Sequence, residues 1–462
     1  MASGQQREYE LGHETPGRLL TRYSVPAITG MMANGLYNMV DTLFVGRGVG
    51  TAALAGLGVC VPVQIFVMAV ALTLGVGSAS IVSRSLGRGD RERARRSSGA
   101  ALMAGAILSL LMTALGLASL APLLRFCGAA GDSFGHAYEY LAVVLLGNFF
   151  LCFAVIANQL VRAEGSAKVS MIAMLIGAGM NIVLDPIFIF WLGMGVRGAA
   201  LATVLAQMCA FVYLLTYLLG PHSLLRIRRG GMGIDVRLLR EVLAIGSSSF
   251  VRLSGGTLLT ILTYRSIQHY GGTDVHRAVF GLFMRLQRVM FMPLIGTIHG
   301  LRPIVGFNYG ARNPGRVLRA LQVAAVRLTM IASCEFLLLQ LLPATLLSVF
   351  LSRRDPNAAA VLAQGPRIIR TIVLFMPLMG VQIVGGGFFQ AIGKGVPALV
   401  LSLGRQMLFF VPLVFICPRF FGLGGIWCAF PASDVLSATL SVAWLSGEVL
   451  RLGRVTARQL AD

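Results

Sequence analysis

The chain has 462 residues, 56% of them hydrophobic and 12% charged, with a mean hydropathy of +0.78. A soluble domain carries roughly 25% charged residues, interspersed along the chain. Here apolar runs alternate with short charged gaps, which excludes a soluble globular protein and predicts an all-α polytopic membrane protein. The net charge of +21 does not point to nucleic acid, because the arginines gather in particular gaps and form no single basic face.

The N-terminal stretch MASGQQREYELGHETPGRLL is polar and runs into helix, with no cleavable signal peptide expected. Twelve apolar runs follow, each near the ~20 residues that cross a ~30 Å hydrocarbon core. Spans are predicted at 20–44, 55–81, 99–122, 137–160, 169–190 and 197–219, then at 241–264, 278–300, 323–350, 367–390, 396–417 and 425–447. An even count puts both termini on one side. The gap after span two, RSLGRGDRERARR, runs from Arg84 to Arg96 and is strongly basic. The gap after span six carries Arg226, Arg228, Arg229, Arg237 and Arg240, and the gap after span eight carries Arg302, Arg312, Arg316 and Arg319. Lys168 and Lys394 follow spans four and ten, and Arg451, Arg454 and Arg458 lie in the tail. Gaps after odd-numbered spans are poorer in cations, Arg353 and Arg354 excepted. The positive-inside bias therefore predicts a multi-pass protein of a bacterial plasma (inner) membrane with both termini cytoplasmic.

The seven cysteines (60, 127, 152, 209, 334, 417 and 428) are scattered, so neither a disulfide framework nor a structural metal site is expected. His136, His222, His269, His276 and His299 are dispersed, and no nucleophile–base arrangement or metal triad suggests an enzyme. Gly193, Gly195 and Gly198 satisfy a dinucleotide-binding spacing, but between two membrane spans and not in a βαβ unit. Arg88-Gly89-Asp90 lies in a gap predicted to be cytoplasmic.

Charged side chains at membrane depth cost at least ~2.5–3.5 kcal/mol and are functional by default. In span one, Asn34, Tyr37, Asn38 and Asp41 fall at i, i+3, i+4 and i+7, one helical face. In span five, GAGMNIVLDPIFIF places Asn181 and Asp185 four apart on one face, and Pro186 breaks the helix beside the carboxylate. Span six adds Thr203 and Gln207, again four apart, and span four ends with Asn158 and Gln159. Carboxylates, amides, a phenol and a hydroxyl suit a hard cation, and two neighbouring carboxylates also suit a shared proton. Both H⁺ and Na⁺ remain open, with Na⁺ placed at Asp41 and Asp185. For Asn158, Thr203 and Gln207 the alternative role is to hydrogen-bond helices together. In the second half, Arg252, Arg265, Arg285, Arg288 and Arg405 lie in or near spans. Ion pairs with Glu335 and Asp434 are expected there, Arg405 with Asp434 among them.

The two halves repeat each other. LGRGDRERARR after span two aligns with YGARNPGRVLR after span eight, RAEGSAK at 162–168 with QAIGKGV at 390–396, and GMGVRGAA at 193–200 with GLGGIWCA at 422–429. This predicts twelve transmembrane helices in two parallel-repeat six-helix lobes: an N-lobe at 1–220, a basic cytoplasmic linker at 221–240, and a C-lobe with a short tail at 241–462. In transporters built this way substrate binds near the midplane between the halves.

NMVDTLFVGRGVGTAALAGLGV at 38–59, RAEGSAKVSMIAMLIGAGMNIVLDPIFIF at 162–190, GLRPIVGFNYGARN at 300–313 and FGLGGIWCAFPASD at 421–434 resemble the multidrug and toxic compound extrusion (MATE) transporters, near their MepA-like and DinF-like branches. The resemblance covers nearly the whole chain. It implies a two-lobe exporter driven by H⁺ or Na⁺, whose N-lobe cation site maps onto Tyr37, Asn38, Asp41, Asn158, Asn181, Asp185 and Thr203. Some members carry a second acidic site on spans seven and ten, but those spans here hold no carboxylate. His299 and Arg302 stand where this branch would have glutamines, and their positive charge works against binding an organic cation. The reading is a cation-coupled antiporter of drugs or other amphiphilic small molecules, monomeric, in a lipid bilayer, with no cofactor beyond the coupling ion and no nucleic-acid partner. Asn34, Gln207, Arg252, Arg285 and His299 are the expected substrate-cleft residues. The alternative is a flippase for a lipid-linked or anionic amphiphile.

Overall fold

The computed structural model describes residues 2–227, 233, 235–351 and 358–461; Arg228, Arg229, Arg353 and Arg354 lie outside the described residues. All regular structure among these residues is helical. A short N-terminal α1 (Ala2–His13) precedes the first half, α2 (Pro16–Gly48), α3 (Thr51–Gly87), α4 (Arg91–Ala118), α5 (Leu120–Phe126), α6 (Asp132–Leu146), α7 (Asn148–Ala163), α8 (Ala167–Pro186) and α9 (Gly195–Leu219). The second half comprises α10 (Val236–His269), α11 (Asp274–Gly310), α12 (Pro314–Leu341), α13 (Pro343–Ser348), α14 (Ala358–Ile372), α15 (Met379–Ala391), α16 (Gly395–Leu403), α17 (Phe410–Phe421) and α18 (Leu423–Ala461).

Nine helical stretches among the described residues are long and apolar enough to cross a membrane alone. Two more spans are bent pairs, α6 with α7 at 55° and α14 with α15 at 43°. The twelfth is α2, 33 residues long, whose Asn34–Asp41 stripe lowers its apolarity. The predicted boundaries need correction where capping or proline overrides hydropathy. Span three begins at Arg91 because the Asp90 carboxylate accepts the Arg93 N–H at 2.9 Å and caps α4. Span nine ends at Leu341, ahead of Pro343. Spans four and ten are broken and not continuous.

The halves meet by backbone-close crossings repeated about a pseudo-twofold axis. A Cβ on Gly87 would lie 2.0 Å from the Phe307 carbonyl oxygen, and one on Gly310 would lie 2.1 Å from that of Arg84. Gly310 follows Gly87 by the same number of residues as Phe307 follows Arg84, so the contact is self-complementary. Gly77 and Gly246 on α3 and α10 approach the Val242 and Thr73 carbonyls in the same way, at 2.0 and 1.9 Å. Only glycine admits such an approach. The turns beside these crossings also match: Asp90 caps α4 after Gly89 (φ +78°), and Asn313 caps α12 after Arg312 (φ +56°).

The closest approaches lie at the end carrying the termini, and polar contacts reinforce that end. Glu241 on α10 takes Arg84 at 3.1 Å and Arg93 at 2.7 Å from the first half. α1 spans both halves. Its Arg7 reaches Glu164, Ser166 and the Tyr217 hydroxyl, while its Leu11 carbonyl accepts from Asn308 at 3.0 Å. Glu164, fully buried, also accepts the Tyr217 hydroxyl at 2.6 Å and the Leu224 N–H at 2.8 Å, which pins the start of the inter-half connection.

Of the ion pairs expected in the second half, Arg405–Asp434 forms at 2.7 Å. The others do not. Glu335 has no hydrogen-bond partner on either oxygen, and Arg252, Arg265, Arg285 and Arg288 have no carboxylate within 4 Å among the described residues. The second half has too few acids, and two of these, Glu241 and Glu448, are already held by Arg84 and Lys394.

Two outcomes follow. Arg405→Leu leaves Asp434, 2% exposed, as an unpaired buried acid, costing about 3–5 kcal/mol. Arg405→Leu/Asp434→Leu recovers most of that loss in detergent denaturation, and a double variant no more stable than the single one overturns the assignment. Gly246→Val leaves no room for its side chain against Thr73, so spin labels on α3 and α10 near the termini read a longer separation than in wild type; an unchanged distance refutes the contact's role.

Candidate functional site

α2 and α8 run side by side. Gly30 faces Met174 closely, and about three turns further along both helices Asp41 comes within electrostatic reach of Asp185. Asp185 and Asn181 are fully buried, at 0% and 1% exposure. The Asn181 amide donates to Asp185 Oδ1 and to the Thr203 hydroxyl, both at 3.3 Å. The Thr203 hydroxyl in turn donates to the Ala199 carbonyl at 3.0 Å. Tyr37 lies within electrostatic reach of both acids. Three buried oxygens, Asp41 Oδ1, Asp185 Oδ2 and Asn181 Oδ1, have no donor.

The sequence explains this local geometry. Pro186 has no N–H to give the Ile182 carbonyl, so the helix cannot continue in register. It widens into a π segment over Ile187–Trp191, closed by the Leu192 N–H on the Ile187 carbonyl at 2.9 Å. Oxygen ligands thus converge beside a deformable helix end.

The structure adds two residues that the sequence reading missed. Tyr140, from α6, lies within electrostatic reach of Asp41 and Tyr37, and Gln64 donates to its hydroxyl at 3.4 Å. Neither stands out in sequence: Gln64 is a single amide in an apolar run, and Tyr140 sits at the end of a mixed polar stretch with His136, Tyr138 and Glu139. One predicted member is displaced. Asn158 accepts from the Ser170 hydroxyl at 2.8 Å, about 16 Å along α8 from Asn181, so it does not join the acids. Among the described residues no three His, Cys, Asp or Glu side chains converge, and the acids act as a pair.

The five expected substrate-cleft residues are not brought together. Asn34 stays on α2, where its carbonyl accepts from Asn38 at 2.7 Å. Gln207 lies on α9 with Oε1 buried and unpartnered. Arg285 is exposed near Tyr264, about 21 Å along α11 from His299. His299 and Arg252 do approach each other, and with them Arg162 and Arg302. Three of these, Arg162, His299 and Arg302, border a cavity between the halves, together with Ser80, Gln159 and Gln390 among others. Arg162, in the RAEG stretch, was read only as part of the repeat; its burial, at 8% exposure, is what marks it.

This architecture agrees with known proteins. The MatE family profile matches residues 26–187 and again 254–416, once in each half. The chain is 25% identical over 430 residues to the multidrug export protein MepA of Staphylococcus aureus, covering 92% of this chain and 93% of that one. It is 24% identical to MepA of Staphylococcus saprophyticus, with 92% of each covered. A solved structure described as the outward-facing conformation of a multidrug resistance MATE family transporter superposes with a TM-score of 0.89 at 28% identity, over 96% of this chain and 98% of that one. A MATE structure in a bent conformation superposes with a TM-score of 0.90 at 27% identity, over 99% of both chains. With both halves matched by the family profile, the chain belongs to the MatE family: it is a twelve-helix, multi-pass membrane transporter.

Proposed function

We propose that the protein is an H⁺- or Na⁺-coupled antiporter that exports drugs or other amphiphilic small molecules by alternating access. The observation that carries this reading is the Asp41–Asp185 contact with its three donorless buried oxygens. Two carboxyl groups held together in low dielectric are stabilised by one proton or one cation between them. The first half (1–220) and the second half (241–462) act as the two moving lobes, joined by the 221–240 linker. The arginine-rich gaps orient both termini to the cytoplasm of a bacterial plasma membrane. The close approach at that end then corresponds to an outward-facing state, in keeping with the outward-facing relative, and the protein works as a monomer.

In this state the acid pair takes its cation from outside. Asn181 and Thr203 orient Asp185, while Tyr37 and Tyr140 close the site around Asp41. Neutralising the pair removes the repulsion between α2 and α8, and the π segment after Pro186 lets the end of α8 adjust without breaking a full helical ladder. The relatives' names as multidrug export proteins support an amphiphilic cargo.

Uptake of a fluorescent amphiphile into inverted vesicles, under a proton gradient and a Na⁺ gradient imposed separately, identifies the coupling ion. Asp185→Asn is expected to abolish gradient-driven uptake while still folding and inserting; retained coupled uptake refutes the site. Asn181→Leu, which removes one amide from the acid, is expected to raise the ion concentration for half-maximal transport by roughly tenfold. An unchanged ion dependence would remove Asn181 from the site.

A further inference from the structure

The cavity between α3, α7, α11 and α15 is lined by two arginines, a histidine, two glutamines and two serines among small apolar residues, with no carboxylate among its lining residues. Arg162 comes from the first half, and His299 and Arg302 from the second. The three, with Arg252 on α10, lie within Coulombic reach of one another. Several of their nitrogens are buried without a partner: Arg162 Nη1, Arg302 Nε and Nη1, and His299 Nδ1. One nitrogen of each guanidinium is held. Arg162 Nε donates to the Asn158 carbonyl at 3.2 Å, and Arg302 Nη2 donates to Gln390 Oε1 at 2.5 Å. Gln390 is itself held through its amide on the Ser248 hydroxyl at 2.8 Å.

Buried like charges that face each other without a counter-charge are unfavourable, because each loses hydration and gains repulsion. Arg405 in the same half shows the usual solution, an acid at 2.7 Å. Here the chain supplies none, while oriented guanidinium donors converge from both halves. Such donors match the paired oxygens of a phosphate or carboxylate. The same charges repel an organic cation. About 20 Å³ of the cavity is open to the centres of water-sized atoms. That suits one small charged group and falls far short of the several hundred Å³ that a drug-sized body needs.

We propose that this cavity is an anion site, in which Arg162, His299 and Arg302 bind the phosphate group of a ligand at the junction of the two halves. The assignment rests on the reading of the chain as a transporter but not on the coupling carboxylates. Equilibrium binding, with no gradient imposed, therefore tests it separately from coupled transport.

The test uses the purified full chain in detergent, with dihexanoyl phosphatidic acid, dihexanoyl phosphatidylcholine and inorganic phosphate as probes. Phosphatidic acid, whose phosphate monoester is uncapped, is expected to bind and raise the melting temperature; phosphatidylcholine, with the same tails but its phosphate esterified to a cationic choline that the arginines repel, is not. Arg302→Gln and Arg162→Gln are each expected to weaken binding roughly ten- to a hundredfold, the loss of a charge-assisted hydrogen bond. Arg419→Gln, the same charge change at an exposed position on α17, leaves it unchanged. Binding of inorganic phosphate as well assigns the site to phosphate itself; binding of the amphiphile alone assigns it to a lipid-like headgroup. Equal responses to the two lipids in wild type, or an equal loss in Arg419→Gln, overturn the proposal. Should Arg302→Gln fold poorly, the wild-type lipid comparison together with Arg162→Gln still decides.

Discussion

The hydrocarbon interior has no water to offer a charge, and that constraint organises this molecule. Each ionised group at depth needs a counter-charge, a shared proton or a ligand. Asp434 has Arg405 at 2.7 Å and is internally balanced. Asp41 and Asp185 have each other, an arrangement that calls for a cation. Arg162 and Arg302 have only each other, the His299 ring and their amide and carbonyl neighbours. One rule, applied three times, separates a structural pair, a proposed coupling site and a proposed anion site.

Much of this was legible in the sequence because the signals were local. Asn181 and Asp185 lie four residues apart on one helix, and so do Tyr37 and Asp41 within their stripe, so helical periodicity alone put each set on one face. What periodicity cannot supply is the depth at which two helices meet. Asn158 carried a suitable side chain, but α7 presents it level with Ser170, turns away from Asn181. Tyr140 and Gln64 were invisible for the opposite reason, as residues that form no polar stripe of their own and that packing alone brings beside Asp41. The ion pairs expected of Glu335 and most of the second-half arginines failed similarly, since composition counts charges without placing them.

The twelve spans were recovered from hydropathy, including α2, whose polar stripe keeps it below the apolarity of the other spans. Hydropathy was blind to the bends within spans four and ten and to the π segments after Pro186 and at Gly404–Phe409. These depend on backbone hydrogen bonding and not on transfer free energy. They also give a membrane helix compliance, which a transporter needs and a structural span does not.

The self-complementary crossing of Gly87 on Phe307 and Gly310 on Arg84 has a bearing on ancestry. A six-helix chain carrying one such glycine and one such carbonyl would pair with its own copy about the same axis, as an isologous dimer with both copies inserted in one orientation. Joining the copies through a connector such as residues 221–240 preserves that interface and releases each copy from having to serve both roles. The outcome is visible in their intramembrane acids: one half keeps two that face each other, while in the other Asp434 is locked against an arginine. Division of labour between once-equivalent halves is thus written into the contact that still holds them together.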